Sequence, residues 1–135
     1  MIHVVLCDDH ALVRRGIRDT LEEAGDIETT GEAGSYSELR EVLRSAVCDV
    51  LLLDLNMPGR SGLEVLGALR ETHPHIRAVV VSMNPADQYA VRCLRAGAHG
   101  YASKAADPVV LIDAVRVVAQ GRKYLTADVA QMLAE

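Results

Sequence analysis

The sequence predicts an α/β domain built on a parallel sheet, and three observations carry that reading. Short apolar runs alternate with stretches whose apolar residues recur at helical spacing. Two of those runs, His3-Val4-Val5-Leu6-Cys7 and Val50-Leu51-Leu52-Leu53, stop at carboxylates, Asp8-Asp9 and Asp54. Half of the 135 residues are apolar, which is enough for one real core. A short apolar run bounded by turn signals suits a strand covered on both faces, the situation of strands in helix-wrapped parallel sheets.

The elements follow in order. After the first strand, Val13, Ile17, Leu21 and Ala24 recur at helical spacing, which predicts a first helix over 11–24 with Gly25 as its stop. Ile27 to Ala33 alternates as an outer strand. Ser35-Tyr36-Ser37-Glu38 then forms a capping box that opens a helix with Leu39, Val42, Leu43 and Ala46 on one face. The third strand, Val50 to Asp54, precedes a Pro58-Gly59 turn, and Ser61-Gly62-Leu63-Glu64 caps a third helix carrying Leu63, Leu66 and Leu69. Ala78-Val79-Val80-Val81-Ser82 is the most β-branched stretch and predicts a fourth strand. Asn84-Pro85 supplies an N-cap and a first-turn proline for a fourth helix to about Ala96. A short strand at Gly100-Tyr101-Ala102 leads through Ser103-Lys104 to Asp107-Pro108, where a fifth helix starts and runs to Gly121.

Strict alternation of strand and helix makes the strands parallel, so all their carboxyl ends share one edge. Asp8, Asp9, Asp54, Ser82 and Lys104 each fall at or just past a strand end, so four segments deliver polar groups to that edge. In open α/β sheets this is where ligands bind. Three carboxylates brought together there repel one another and call for a cation, and a donor set of oxygens with that charge suits Mg²⁺.

Composition sets further bounds. A formal charge of −5 without a Lys/Arg cluster argues against this chain gripping a nucleic-acid backbone by itself. No run approaches the roughly 18 apolar residues of a membrane span. The chain opens in a strand without a basic leader, so a cytoplasmic, soluble protein is the expectation. Cys7, Cys48 and Cys93 are odd in number and set in apolar context, which suits reduced core thiols. His10, and His73 with His75, lack the partners of a zinc site and read as structural.

Four segments together, Cys7-Asp8-Asp9-His10, Asp54-Leu55-Asn56-Met57-Pro58-Gly59-Arg60-Ser61-Gly62, Val80-Val81-Ser82-Met83 and Gly100-Tyr101-Ala102-Ser103-Lys104, resemble the receiver domain of bacterial response regulators. The resemblance covers residues 2 to 121 and points to the nitrate-regulator, or LuxR-type, transcription factors. It implies a flavodoxin-like sheet in the order 2-1-3-4-5, with a receiver domain over 1–121. It further implies that Asp54 takes a phosphoryl group from a sensor histidine kinase. Asp8, Asp9, Asp54 and the carbonyl of Asn56 would hold Mg²⁺, and Lys104 and Ser82 would bind phosphoryl oxygens. Ser82 and Tyr101 would form the switch, with phosphorylation-dependent homodimerisation as an expected consequence. Residues 122–135, with Thr126 as N-cap and Val129, Met132 and Leu133 apolar, resemble the linker and short helix that lead to a helix-turn-helix DNA-binding domain outside this chain.

Two departures stand out. Many receivers carry a proline directly after the active-site lysine, often with a cis bond, whereas Ala105 stands here and predicts a trans bond. Ala102 occupies a position where a larger aliphatic is common, which predicts a loosely packed fifth strand and a looser Tyr101 switch. Other functions fit less well. A receiver-like module that signals by binding alone is the alternative, but such modules lack one of the acids or the lysine. A phosphatase of the aspartyl-phosphate class needs a second carboxylate where Asn56 stands. A flavin carrier needs aromatics for the ring, and the chain has neither Trp nor Phe.

Overall fold

The computed structural model describes residues 1–57, 61–83 and 87–134. In chain order these form β1 (Ile2–Cys7), α1 (Ala11–Glu23), β2 (Ile27–Ala33), α2 (Tyr36–Ser45), β3 (Val50–Asp54), α3 (Gly62–Thr72), β4 (Arg77–Ser82), α4 (Asp87–Arg95), β5 (Gly100–Ser103), α5 (Pro108–Ala119) and α6 (Ala127–Ala134). The predicted Pro58-Gly59 turn and the Asn84-Pro85 cap lie outside the described residues.

The five strands are parallel and lie in the order β2-β1-β3-β4-β5, the flavodoxin-like arrangement. Side chains alternate across a strand, and that period sorts the core into two layers. Val4, Leu6, Val50, Leu52, Val79 and Val81 pack against Leu21 of α1 and Leu111, Val115 and Val118 of α5. Their neighbours Val5, Cys7, Leu51, Leu53 and Val80 pack on the other face, against Leu39 and Leu43 of α2, Val65 and Leu66 of α3 and Leu94 of α4. With both faces covered, β3 is buried along its whole length. Each such Leu or Val contributes roughly 1.5–3 kcal/mol by leaving water.

Helix ends obey local chemistry. Gly25 and Gly121 follow α1 and α5 with φ of +87° and +86°, the left-handed conformation that glycine adopts without a Cβ clash. Ser35 caps α2 by accepting the Glu38 N–H at 3.1 Å. The return half of that capping box is displaced by one residue, because Glu38 accepts from the Gly34 N–H at 2.7 Å and not from that of Ser35. Ser61 likewise caps α3, accepting from Leu63 N–H at 3.2 Å. Asp107 precedes α5 but makes no side-chain cap bond.

Of the apolar residues at helical spacing on α1, Leu21 is buried and Val13 is exposed. The terminal segment packs on the domain. The Tyr124 N–H donates to the His99 carbonyl at 2.9 Å beside β5, and α6 packs across α4 with Val129 buried. Among the described residues no peptide bond is cis, in keeping with Ala105 after Lys104. Cys7, Cys48 and Cys93 are all free and buried. No described helix is long and apolar enough to cross a membrane.

Candidate functional site

The strand order reverses between β1 and β3, and the register across that point sets the site. Cys7 pairs with Leu53, so the next residues outward are Asp8 and Asp54, side by side at the carboxyl edge. On the far side Asp54 pairs with Val81 and Ser82 with Ser103. Lys104 then follows directly, its N–H donating to the Ser82 carbonyl at 3.0 Å. The acids and Ser82 are removed from water, Asp54 and Ser82 at 0% exposure and Asp8 at 3%, and the Lys104 side chain is nearly so.

Two buried carboxylates on adjacent strands need compensating charge. Lys104 supplies it, its Nζ lying 2.9 Å from Asp8 Oδ2 and 3.0 Å from Asp54 Oδ2. Burial alone pushes the Lys104 amine down, but the bonds to Asp8 and Asp54 and their charges outweigh it, so the pKa is raised and the amine is held charged. The remaining oxygens are fixed by backbone. The Asn56 N–H donates to Asp54 Oδ1 at 2.9 Å, and the His10 N–H donates to Asp8 Oδ1 at 2.8 Å. Asn56 also reaches Ser82, Nδ2 to Oγ at 3.3 Å, which ties the β3 and β4 ends together.

The donor set fits a small hard cation. One ligand atom from each of Asp8, Asp9, His10 and Asp54 can be chosen so that all lie within 4.8 Å of one another. The buried Oδ2 atoms of Asp8 and Asp54 face the Lys104 ammonium and take no backbone or other side-chain donor. Asp9 is the more open acid, at 29% side-chain exposure, as a ligand beside solvent would be. The group can therefore hold a metal, with carboxylate oxygens as the preferred donors of Mg²⁺.

Sequence reasoning brought Asp8, Asp9, Asp54, Asn56, Ser82 and Lys104 to this edge, and the structure gathers them there. Tyr101 is elsewhere. It is half-buried on β5 and, with Ala90, Ala102, Val110, Leu125 and Val129, lines a cavity of about 240 Å³.

Three participants were missed. His10, read as structural, places Nδ1 3.1 Å from Asp9 Oδ1 and 3.5 Å from Asp8 Oδ1. Arg14 of α1 donates to the Asp8 carbonyl and pairs with Glu32 at 3.0 Å. Tyr36, read only as part of a capping box, donates its hydroxyl to the Asp54 carbonyl at 2.9 Å. The adjacency of His10 to the paired acids was a usable signal; Arg14 and Tyr36 gave none, because their reach depends on how α1 and α2 pack. Cys7 sits behind the acids, and burial with the charges of Asp54 and Asp8 pushes its thiol up to about 12, so it stays protonated and inert.

Comparison with known proteins agrees with this geometry. A family model described as the response regulator receiver domain matches residues 4–116. The response regulator GacA of Pseudomonas viridiflava is 39% identical over 99% of this chain and 63% of its own length. The chain thus spans less than two thirds of the curated relatives it matches. A two-component response regulator of the LuxR family from Aurantimonas sp. SI85-9A1 superposes with a TM-score of 0.88 at 30% identity, covering 98% of this chain and 94% of that one. RcsB of Salmonella enterica serovar Typhimurium, solved bound to promoter rprA in the presence of phosphomimetic BeF3-, gives 0.86 at 26% identity, over 99% and 68% of the two chains. The chain therefore belongs to the response regulator receiver domains, the signal-transduction switches of two-component systems, on the LuxR-type branch.

Proposed function

We propose that Asp54 is the residue phosphorylated by a sensor histidine kinase, with Mg²⁺ as cofactor, and that the resulting switch controls transcription. The observation that supports this most is the meeting of Asp8 and Asp54 around a single buried lysine at the switch point of the sheet. An Asp54 oxygen attacks the phosphorus of a phosphohistidine, forming a P–O bond while the P–N bond breaks. The electron pair stays on the imidazole nitrogen, which takes up a proton. Little covalent assistance is needed; the barrier falls through positioning and charge neutralisation.

Each residue has a share. The Asn56 N–H orients Asp54 through Oδ1. Lys104 is poised to move from the carboxylates to a phosphoryl oxygen as a point charge. Asp8, Asp9, Asp54 and the carbonyl of Asn56 would hold Mg²⁺, which when bound neutralises the charge gathered on the transferring oxygens. Ser82 would donate its hydroxyl to a third phosphoryl oxygen, and Tyr101 would respond by moving inward from its half-buried position. The state so favoured is selected by contacts only the phosphorylated protein makes.

Partner docking is supported by exposed apolar side chains around the same edge. Leu12 and Val109, in the first turns of α1 and α5, are 84% and 64% exposed, and Met83 just past β4 is 60% exposed. Such side chains beside an acidic site suit a kinase surface. DNA binding would reside in the length that GacA has beyond the matched region, and residues 122–135 would lead toward it. A cytoplasmic location and a homodimer formed on phosphorylation complete the reading.

The test is intact mass after incubation with acetyl phosphate and Mg²⁺. A single phosphoryl adduct that disappears in Asp54→Asn and with a chelator is expected. No adduct, where a known receiver is labelled in parallel and beryllofluoride also fails to bind, would favour a module that signals by binding alone.

A further inference from the structure

Asp54 ends β3, and its backbone is served unequally on its two sides. Toward β4 the ladder continues, with Leu55 N–H donating to the Val81 carbonyl at 3.3 Å. The Asp54 carbonyl and the Leu55 N–H belong to one trans peptide and point to opposite sides, so the carbonyl points toward β1. There the ladder has stopped: the last β1–β3 pair is Cys7 with Leu53. A buried carbonyl without a partner at that place would leave the end of β3 weakly fixed. Tyr36 fills the gap from a third element, its hydroxyl donating to the Asp54 carbonyl at 2.9 Å.

The delivery of that hydroxyl is itself fixed. Tyr36 is the first residue of α2, and the turn that carries it is tied by side-chain caps, Ser35 accepting the Glu38 N–H at 3.1 Å and Glu38 accepting the Gly34 N–H at 2.7 Å. Space for it is kept by Gly62 at the start of α3: a Cβ there would lie 3.4 Å from the Tyr36 hydroxyl and only 2.4 Å from Leu55 Cδ2. Burial, followed by the nearby Cys7 and Asp54, raises the pKa of the phenol, so it remains a donor across the physiological range.

We propose that Tyr36 is a positioning residue for phosphoryl transfer: through the Asp54 carbonyl it holds the peptide that carries the reactive carboxylate. This rests on the reading of Asp54 as the phosphoryl acceptor. Tyr36 touches no reacting atom; it acts on the orientation of Asp54, whose Oδ1 is already fixed by the N–H of Asn56 in the same turn. Without the hydroxyl, the turn from Asp54 to Asn56 keeps its β4 bond but pivots on it. The carboxylate then spends less time in line with the leaving group.

The experiment is the time course of labelling by acetyl phosphate and Mg²⁺ over a range of donor concentrations, with rates referred to the folded fraction from thermal melts. Tyr36→Phe keeps the ring and removes the donor. Loss of one neutral hydrogen bond corresponds to a saturating rate about fivefold lower, with the half-saturating donor concentration unchanged. Replacing Tyr36 by 4-aminophenylalanine, which restores a donor at the same place, should recover most of the rate. An unchanged saturating rate in Tyr36→Phe overturns the proposal, as does a loss that the amino analogue fails to restore. Failure of the underlying reading looks different, because wild type itself would then carry no adduct that Asp54→Asn abolishes.

Discussion

The β1–β3 edge and the β5 edge of one sheet are built on opposite plans. At the first, Asp8, Asp54 and Ser82 are buried, Lys104 bridges the two acids, and backbone N–H groups fix the remaining carboxylate oxygens. At the second, a four-residue strand carries small Ala102 and half-buried Tyr101 beside a cavity of about 240 Å³, closed by the segment from Tyr124 to Val129. Chemistry needs groups held in one geometry, whereas a switch needs spare volume into which a side chain can move. In this sheet the crowded arrangement lies at the switch point between central strands and the loose one at an edge strand flanked by Tyr124.

The contrast can be broken at the crowded end first. Lys104→Met leaves Asp8 and Asp54 as adjacent buried carboxylates, which should cost about 3 kcal/mol in denaturant titrations. Added Mg²⁺ should return part of that loss, since a ligand that binds only the folded state stabilises it. A variant as stable as wild type without Mg²⁺ would show that the acids are not electrostatically strained.

At the loose end, Val129→Ala trims one buried side chain from the α6–α4 contact and should cost about 2 kcal/mol. Susceptibility of α6 to proteolysis should rise while labelling at Asp54 persists. Collapse of the whole domain would instead make α6 part of the essential core. Ala102→Val, at a residue that lines the cavity, should stabilise by about 1 kcal/mol or less in the same titrations and leave the labelling rate unchanged. Destabilisation there would mean that the cavity is not spare volume.

The smallest effect is on pH dependence. His99, next to the Tyr124 bond, has its pKa lowered below the ordinary 6.5 by burial and then by Arg77, Lys123 and Arg70. Its neutral Nδ1 accepts the Ala78 N–H at 3.4 Å. A histidine depressed in the folded state contributes stability that is present above its unfolded value and lost as pH falls through 6.5 toward the folded value. Melts should therefore show a modest fall in stability between about pH 7 and pH 5 that shrinks in His99→Gln. An equal fall in both proteins would remove His99 from the account.

The same contrast explains what was legible in the sequence. The crowded edge is built from strand ends, and a strand end is written locally, in an apolar run followed by Asp8 or Asp54. β2 and β3 accordingly match their predicted bounds, and the period-two and period-3.6 patterns separated strands from helices. The order of the strands was not in the pattern and came with the family resemblance. Contacts between elements were illegible: nothing near Tyr36 signals the Asp54 carbonyl, and nothing near Arg14 signals that of Asp8. The partner of α6 was hidden for the same reason, since its short apolar face of Val129, Met132 and Leu133 does not name α4. Exposed Val13 shows a different limit, since helical spacing names a face but not how far along the helix the sheet extends.

The most direct test of Asp54 as the acceptor is chemical trapping of the labelled protein. An aspartyl phosphate is an acyl phosphate, which borohydride reduces to the alcohol, converting the aspartate to homoserine and releasing phosphate. After labelling with acetyl phosphate and Mg²⁺, peptide sequencing by tandem mass spectrometry should find homoserine at position 54 and unmodified aspartate at Asp8 and Asp9. Homoserine at either of those positions, or at none while the intact protein carries a phosphoryl group, would contradict the account.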